Sequence, residues 1–364
     1  MSFLNNIIDA QNEVTQQYVD FWNWFKNQEK TFFHVVRQRE NIETDFFEKL
    51  SEQLNVFNES LYFVVGMPDE DIVELIFTAD GIIKNIVFVE ELVQAAPTIK
   101  GWMFTALKSA TDTSKINIKM EGFDFNEDNI GFYANEHPEF PDEIDITVVY
   151  PDFAEEDRQM VVNGIYIFLD NVLGELNFAC IIDQIDIVRK QESEQEIVPI
   201  SKLKSFLIWR EKEFVERYEG VRRNTDKDNY SMLQAKLENG NMLLAAINTD
   251  LLKWDRKASH PWIMNVEIKY DGSELNGMPD EDAYTLMEEI EENITTELKD
   301  SEGYLNIGRQ TAEGTRNIYF ACKDFRKPSK VLGAIERLYV DQTEISYEIY
   351  KDKYWQSFEH FVKP

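Results

Sequence analysis

Histidine and cysteine are scarce in this chain, which has four histidines and two cysteines among 364 residues. A structural zinc site needs several nitrogen or sulfur ligands at short, regular spacings. His34, His137, His260 and His360 have no Cys, His or acidic partner at such spacing. Two cysteines also rule out a disulfide-dense scaffold. Cys180 and Cys322 each lie in an apolar, strand-like pattern, which predicts free buried thiols in a reducing compartment. Long apolar runs are missing too: nothing approaches the roughly 20 residues that a membrane helix requires. The opening MSFLNNIIDAQNEV has neither the basic start nor the apolar stretch of a secretory leader. A cytoplasmic protein with no membrane partner is expected, and the sequons at Asn58 and Asn293 are then accidental.

Positive charge is in short supply as well. Lys and Arg total 37 against 68 Asp and Glu, for a formal net charge of −31. Binding to nucleic acid or an anionic membrane proceeds by cations displacing counterions, so neither is expected as a direct partner. A basic protein fits this balance. GxSxG, GxGxxG and GxxxxGKS/T are all absent, so no catalytic residue and no cofactor is assigned. Asp124-x-Asn126-x-Asp128 begins like a calcium loop. Asn129 and Asn135 stand where that loop needs its Gly and its chelating Glu, so an acidic loop is the reading and no metal is expected.

What the chain does have is core material, 43% hydrophobic and 13% aromatic residues, at a length that favours two domains. Residues 3–28 have the periodicity of an amphipathic helix carrying Phe3, Leu4, Ile7, Ile8, Val14, Tyr18, Phe21, Trp22 and Phe25. A second helical pattern holds Phe46, Phe47, Leu50, Leu54 and Phe57. Strand-like runs follow at 61–65, 72–77, 102–107, 116–120, 130–133 and 144–149, then a helix over 154–173 and a strand over 178–188. The charged segment 189–200, ending in Pro199, reads as a linker. This gives an N-terminal α+β domain over 1–190 with leading aromatic helices, and a second domain over 200–364.

The second domain has the clearer pattern. A helix over 202–218 and a hairpin around Asn239-Gly240 precede a stretch in which Met264, Val266, Ile268 and Tyr270 alternate with polar residues. That period of two marks a strand with one buried and one wet face. A helix with Leu286, Met287, Ile290, Ile294 and Leu298 on one face comes next. Two strands joined at Glu313-Gly314, a helix from Pro328 and a strand over 345–349 complete a βαββαβ order. This predicts a ferredoxin-like sandwich, extended by the preceding hairpin, with both helices on one sheet face. The hexapeptide Gly-Met-Pro-Asp-Glu-Asp occurs at 66–71 and 277–282; it reads as coincident turn chemistry, with duplication left open.

Arg309 and Arg316 are the candidate binding residues. With Glu313-Gly314 as the turn, Arg309 faces Ile318 and Arg316 faces Thr311. Both arginines then share a face with Leu305, Ile307 and Phe320, near Asp280, Glu281 and Asp282. They can close the core as an Arg–Asp cluster, or form an anion site with the helix N-terminus.

His260-Pro-Trp262, Gly277-Met-Pro-Asp280, Tyr304-Leu-Asn-Ile-Gly-Arg309, Gly314-Thr-Arg316 and Tyr319-Phe320 resemble an uncharacterised bacterial family, DUF695, over about 200–364. The first half, with Glu74-Leu-Ile-Phe-Thr-Ala-Asp-Gly81, Ala96-Pro97 and Gly101-Trp102, looks like a region that accompanies this family. The resemblance implies no chemistry. Its ferredoxin-like character is similar to that of small acidic ribonuclease E inhibitors, which bind a basic protein region. A non-enzymatic protein-binding or regulatory protein of inhibitor or immunity type is the expectation. The alternative is a small-molecule-binding protein or enzyme using an interdomain cleft near Arg309 and Arg316.

Overall fold

The computed structural model describes residues 3–362 apart from Phe57, Asp152 and Glu194, with side chains from Glu13 onward. Phe3, Leu4, Ile7, Ile8 and Phe57 of the sequence reading therefore lie outside the described side chains. The chain is α+β and separates into two compact units, Gln17–Arg217 and Tyr218–Pro364, the latter with Met1–Gln16. Among the described residues, no helix is long and apolar enough to cross a membrane.

In the unit Gln17–Arg217, helix α1 (Phe3–Gln38) runs further than its first periodic stretch suggests, because Phe32, Val35 and Val36 prolong the buried stripe. A π-turn at Glu43–Phe47 leads into α2 (Glu48–Asn55). Strands β1 (Tyr62–Asp69) and β2 (Ile72–Thr78) are antiparallel; α3 (Ile83–Gln94) crosses over to β3 (Trp102–Ala106), which is parallel to β2. Phe21, Trp22, Phe25, Phe32, Phe46 and Phe77 fill the core of this sheet, with the Phe21–Trp22, Trp22–Phe77 and Phe32–Phe46 pairs edge to face and Phe25–Phe32 tilted, and the Trp22 indole donates to Leu92 O at 2.7 Å. The first copy of the repeated hexapeptide lies at the end of β1 and its turn, whereas the second leads into a helix.

A hairpin of β4 (Asn117–Met120) and β5 (Phe123–Asn126) comes next. Strands β6 (Gly131–Asn135) and β7 (Asp145–Tyr150) then lie under α4 (Arg158–Leu173). Residues 178–188 are not one strand. They hold the end of α5 (Glu175–Cys180) and β8 (Gln184–Arg189), because Glu175 starts a helical turn and Ile182 ends it in the core. Cys180 is thus helical and half-buried. Nor is 189–200 a linker: β9 (Val198–Pro199) pairs with β6, and Ile200, Leu203 and Leu207 are buried in this unit's core with α6 (Leu203–Tyr218). The four-stranded order is β8-β7-β6-β9. Buried Glu175 accepts hydrogen bonds from Thr78 Oγ1 at 2.6 Å, Ala79 N at 2.9 Å and Lys108 N at 3.2 Å, which ties the end of β2 to the chain after β3.

The unit Tyr218–Pro364 forms β10 (Tyr230–Lys236), β11 (Met242–Asn248), β12 (Trp262–Lys269), α7 (Glu281–Glu297), β13 (Tyr304–Ala312), β14 (Thr315–Cys322), α8 (Arg326–Tyr339) and β15 (Ile345–Lys351). The sheet order is β10-β11-β13-β14-β12-β15, antiparallel throughout. Without the first two strands this is the βαββαβ order that the sequence predicts, and the β10–β11 hairpin extends it beside β13. Met264, Val266, Ile268, Ile318 and Phe320 are buried on one sheet face, and Met287, Ile290 and Ile294 of α7 and Val331, Leu332 and Ile335 of α8 are buried as well. The contacts of Arg316 with Glu288 and of Tyr347 with Ser329 O put both helices over that face.

The opposite sheet face is wet only in part. Ala245, Ile247, Ile263, Leu305, Ile307 and Ala321 form a second core, covered by Leu251, Leu252, Trp355 and Phe358. Strict alternation in β12 holds from Asn265 to Lys269 and fails at Ile263, where this second layer begins. His260 belongs here. It packs against Trp254, ring centroids 5.5 Å apart, whereas Trp262 lies on the helical side against Phe325.

Burial, with smaller effects of Lys323 and Arg222, holds the His260 imidazole down at about 4, below its ordinary 6.5. The unfolded chain therefore takes up this proton between those values and the folded chain does not. Stability from the neutral ring is complete above pH 6.5 and is lost as pH falls towards 4, by roughly 3 kcal/mol. Urea melts at pH 7 and pH 4.5 should show a smaller pH difference in His260→Leu than in the parent chain; an equal difference would refute this account.

Candidate functional site

The hairpin of β13 and β14 turns at Glu313 and Gly314, whose φ values of 49° and 75° are those of a two-residue type I′ turn. Arg309 is opposite Ile318 and Arg316 opposite Thr311, the predicted register. One irregularity changes which faces are shared. Between Asn306 and Gly308 the register shifts by one residue. Gly308 makes this possible: its φ is 138°, and a Cβ there would lie 2.2 Å from Ala246 O. Leu305 and Ile307 consequently point into the second core, while Arg309, Arg316 and Phe320 face the helices.

The two guanidinium groups meet carboxylates from the middle of α7. Arg316 is 2% exposed; its Nη1 donates to Glu288 Oε1 at 2.7 Å and its Nε to Thr311 Oγ1 at 3.2 Å. Its guanidinium carbon lies 5.1 Å from the Tyr284 ring centroid. Arg309 donates through Nη1 to Glu291 Oε2 at 2.7 Å and places Nη2 3.1 Å from Glu288 Oε1. Burial pulls the Arg309 guanidinium down, but the Glu291 and Glu288 carboxylates outweigh it and its pKa is raised. The partners are thus Glu288 and Glu291 rather than Asp280, Glu281 and Asp282. Asp280 instead caps α7, accepting from Ala283 N at 2.8 Å. Each arginine is matched by a carboxylate in this cluster, which locks the hairpin to the helix and leaves little positive potential for a bound anion.

The hairpin tip borders an open hollow of about 590 Å³, lined among others by Tyr270, Ser273, Asn276, Gly277 and Thr315. Its walls are tied to each other: Tyr270 Oη donates to Gly277 O at 2.7 Å and Gly314 N to Gly277 O at 3.1 Å. Neither candidate arginine lines it.

Sequence reasoning missed a second grouping, in the unit Gln17–Arg217. His137 Nε2 donates to Asp145 Oδ2 at 2.7 Å, with Asp145 buried and His137 half-exposed. They line a pocket of about 260 Å³ with Phe206, Trp209 and Arg210. The carboxylate can orient the imidazole. No Ser, Thr or Cys lines this pocket to act as a nucleophile, and among the described residues no group of three or more His, Cys, Asp or Glu could hold a metal ion. The only available signal was register: Asn135 pairs with Asp145, which brings residue 137 alongside. Spacing along the chain could not reveal it.

Residues 228–362 match the model of a family described as a family of unknown function, DUF695. The resemblance expected of the C-terminal part is therefore found over β10 to the C-terminal turn at Gln356–Phe361. No curated protein and no solved structure matches the chain.

If the Arg–Glu cluster locks hairpin to helix, Glu288→Ala leaves the buried Arg316 guanidinium without its carboxylate. The unfolding free energy should fall by about 3 kcal/mol. The double variant Glu288→Leu, Arg316→Met should recover at least half of that loss in urea melts. A single variant as stable as the parent would refute the lock.

Proposed function

We propose that this is a non-enzymatic binding or regulatory protein, of inhibitor or immunity type, whose partner is a basic protein met in the cytoplasm. The observation that carries this reading is α7. From Glu281 to Glu297 the helix has acidic side chains and no Lys or Arg, and Glu281, Asp282, Glu289 and Glu292 are exposed. This helix stands on a chain of net charge −31. Such a surface attracts cationic partners over long range and repels polyanions. An anion site at Arg309 and Arg316, the small-molecule alternative, has weaker support because Glu288, Glu291 and Thr311 already occupy those donors.

Capture on the immobilised full chain from native lysate should recover proteins of high isoelectric point. Their retention should collapse as salt rises from about 0.1 M to about 1 M, over which the Debye length falls from about 10 Å to about 3 Å. Retention that is indifferent to salt, or recovery of acidic proteins alone, would count against the proposal.

A further inference from the structure

The β10–β11 hairpin carries the sheet beyond α7, and among the described residues its helix-side face is left uncovered. Register places Tyr230, Met232 and Gln234 of β10 on the same face as Asn248, Ala246 and Leu244 of β11, and then as Arg309 and Thr311 of β13. The other face of this hairpin holds Ala245 and Ile247 and belongs to the second core. On the helix side, Met232 is 75% exposed, Tyr230 48% and Leu244 39%. Apolar side chains on an outer hairpin are an aggregation liability unless something covers them.

One wall of this shelf is α7. Glu288, Glu291 and Tyr284 contact arginines of β13 and β14, which fixes the flank of α7 that looks towards the hairpin. Glu281, Glu288 and Glu292 follow at spacings of seven and four, so all three lie along that flank. Glu289 is on the other side, where it accepts from Tyr339 of α8. The shelf thus combines exposed Tyr230, Met232 and Leu244 on its floor with exposed Glu281 and Glu292 on its wall; Arg309 at its inner edge is already paired with Glu291, and Lys236 stands at the hairpin end. Two adjacent strands span about 10 Å, the width of one α-helix.

We propose that this shelf docks an amphipathic helix of a basic partner, laid beside α7 as a third helix on the sheet. Apolar residues of that helix sit on Met232, Leu244 and Tyr230. Its Lys or Arg residues on one flank face Glu281 and Glu292, which are exposed, whereas Glu288 stays with Arg309 and Arg316. The inference rests on the reading of a basic partner and adds where that partner binds and what it presents.

The test uses the full chain and two labelled synthetic peptides about five turns long, of identical lysine and leucine composition. In one, the leucines fall on a single helical face; in the other, they are dispersed. The leucine-faced peptide should bind more tightly and protect amides of 230–248 from hydrogen exchange. In the double variant Met232→Ser, Leu244→Ser its affinity should fall at least tenfold, with the melting temperature kept because both residues are exposed. Equal affinity of the two peptides, or undiminished affinity in the variant, overturns the shelf as the site. If binding is then still weakened by salt, the basic-partner reading survives alone; if neither peptide binds in a salt-dependent way, both fail. Light scattering that shows a dimer of the parent chain and a monomer of the variant would assign the shelf to a second copy and overturn the proposal.

Discussion

The arrangement of the C-terminal unit depends on a single extra residue in β13. An uninterrupted strand would put Leu305, Ile307 and Arg309 on one face, and the arginine would then share a core with both aliphatic side chains. The bulge at Gly308 reverses the alternation within one step. Apolar side chains before it serve the core under Leu251, Trp355 and Phe358, and the arginine after it serves α7. Because the backbone of β11 passes so close, only a residue without a side chain fits at this point. One glycine therefore lets a single sheet have two apolar layers and an ionic lock on the same strand.

That lock explains why the two arginines do not read as a ligand site once the helix is in place. Arg316 is buried and Glu288 only partly so, which makes the pair a fastening between secondary elements. Buried ion pairs are weak sources of net stability, but they penalise alternative arrangements that leave one charge alone. Here the penalised alternatives are slips of the β13–β14 hairpin relative to α7, each of which would strand the Arg316 guanidinium among Tyr284, Phe320 and Ile318.

The C-terminal half was legible because its signals are local. Alternation in β12 and β15, spacings of three and four in α7 and α8, and Glu313-Gly314 as a turn each depend on a few neighbouring residues, and together they specify the order of the sheet. The second apolar layer was not legible, since Leu251 and Trp355 lie far apart in sequence and join only through the sheet between them. The same holds for Glu288 with Arg316 and for His137 with Asp145, which register brings together. In the N-terminal half, Phe178–Cys180 at the end of α5 reads as strand because Ile181 and Ile182 follow without a break. The buried carboxylate that anchors the start of that helix has its partners near residue 78 and at Lys108, beyond the reach of any local pattern. The acidic character of α7 was visible at once, but which of its glutamates face the hairpin depended on the arginines opposite.

The position of β12 has a kinetic consequence. It lies between β14 and β15, so each of its edges must wait for a strand about 50 or more residues away in the chain. The β13–β14 hairpin, by contrast, closes through two residues. Loop-closure entropy makes the hairpin the cheaper first step and the insertion of β12 the slow one. Until that insertion, the hydrogen-bonding edges of β14 and β15 both face water, and the half-formed sheet is the species most open to mispairing with a neighbouring chain.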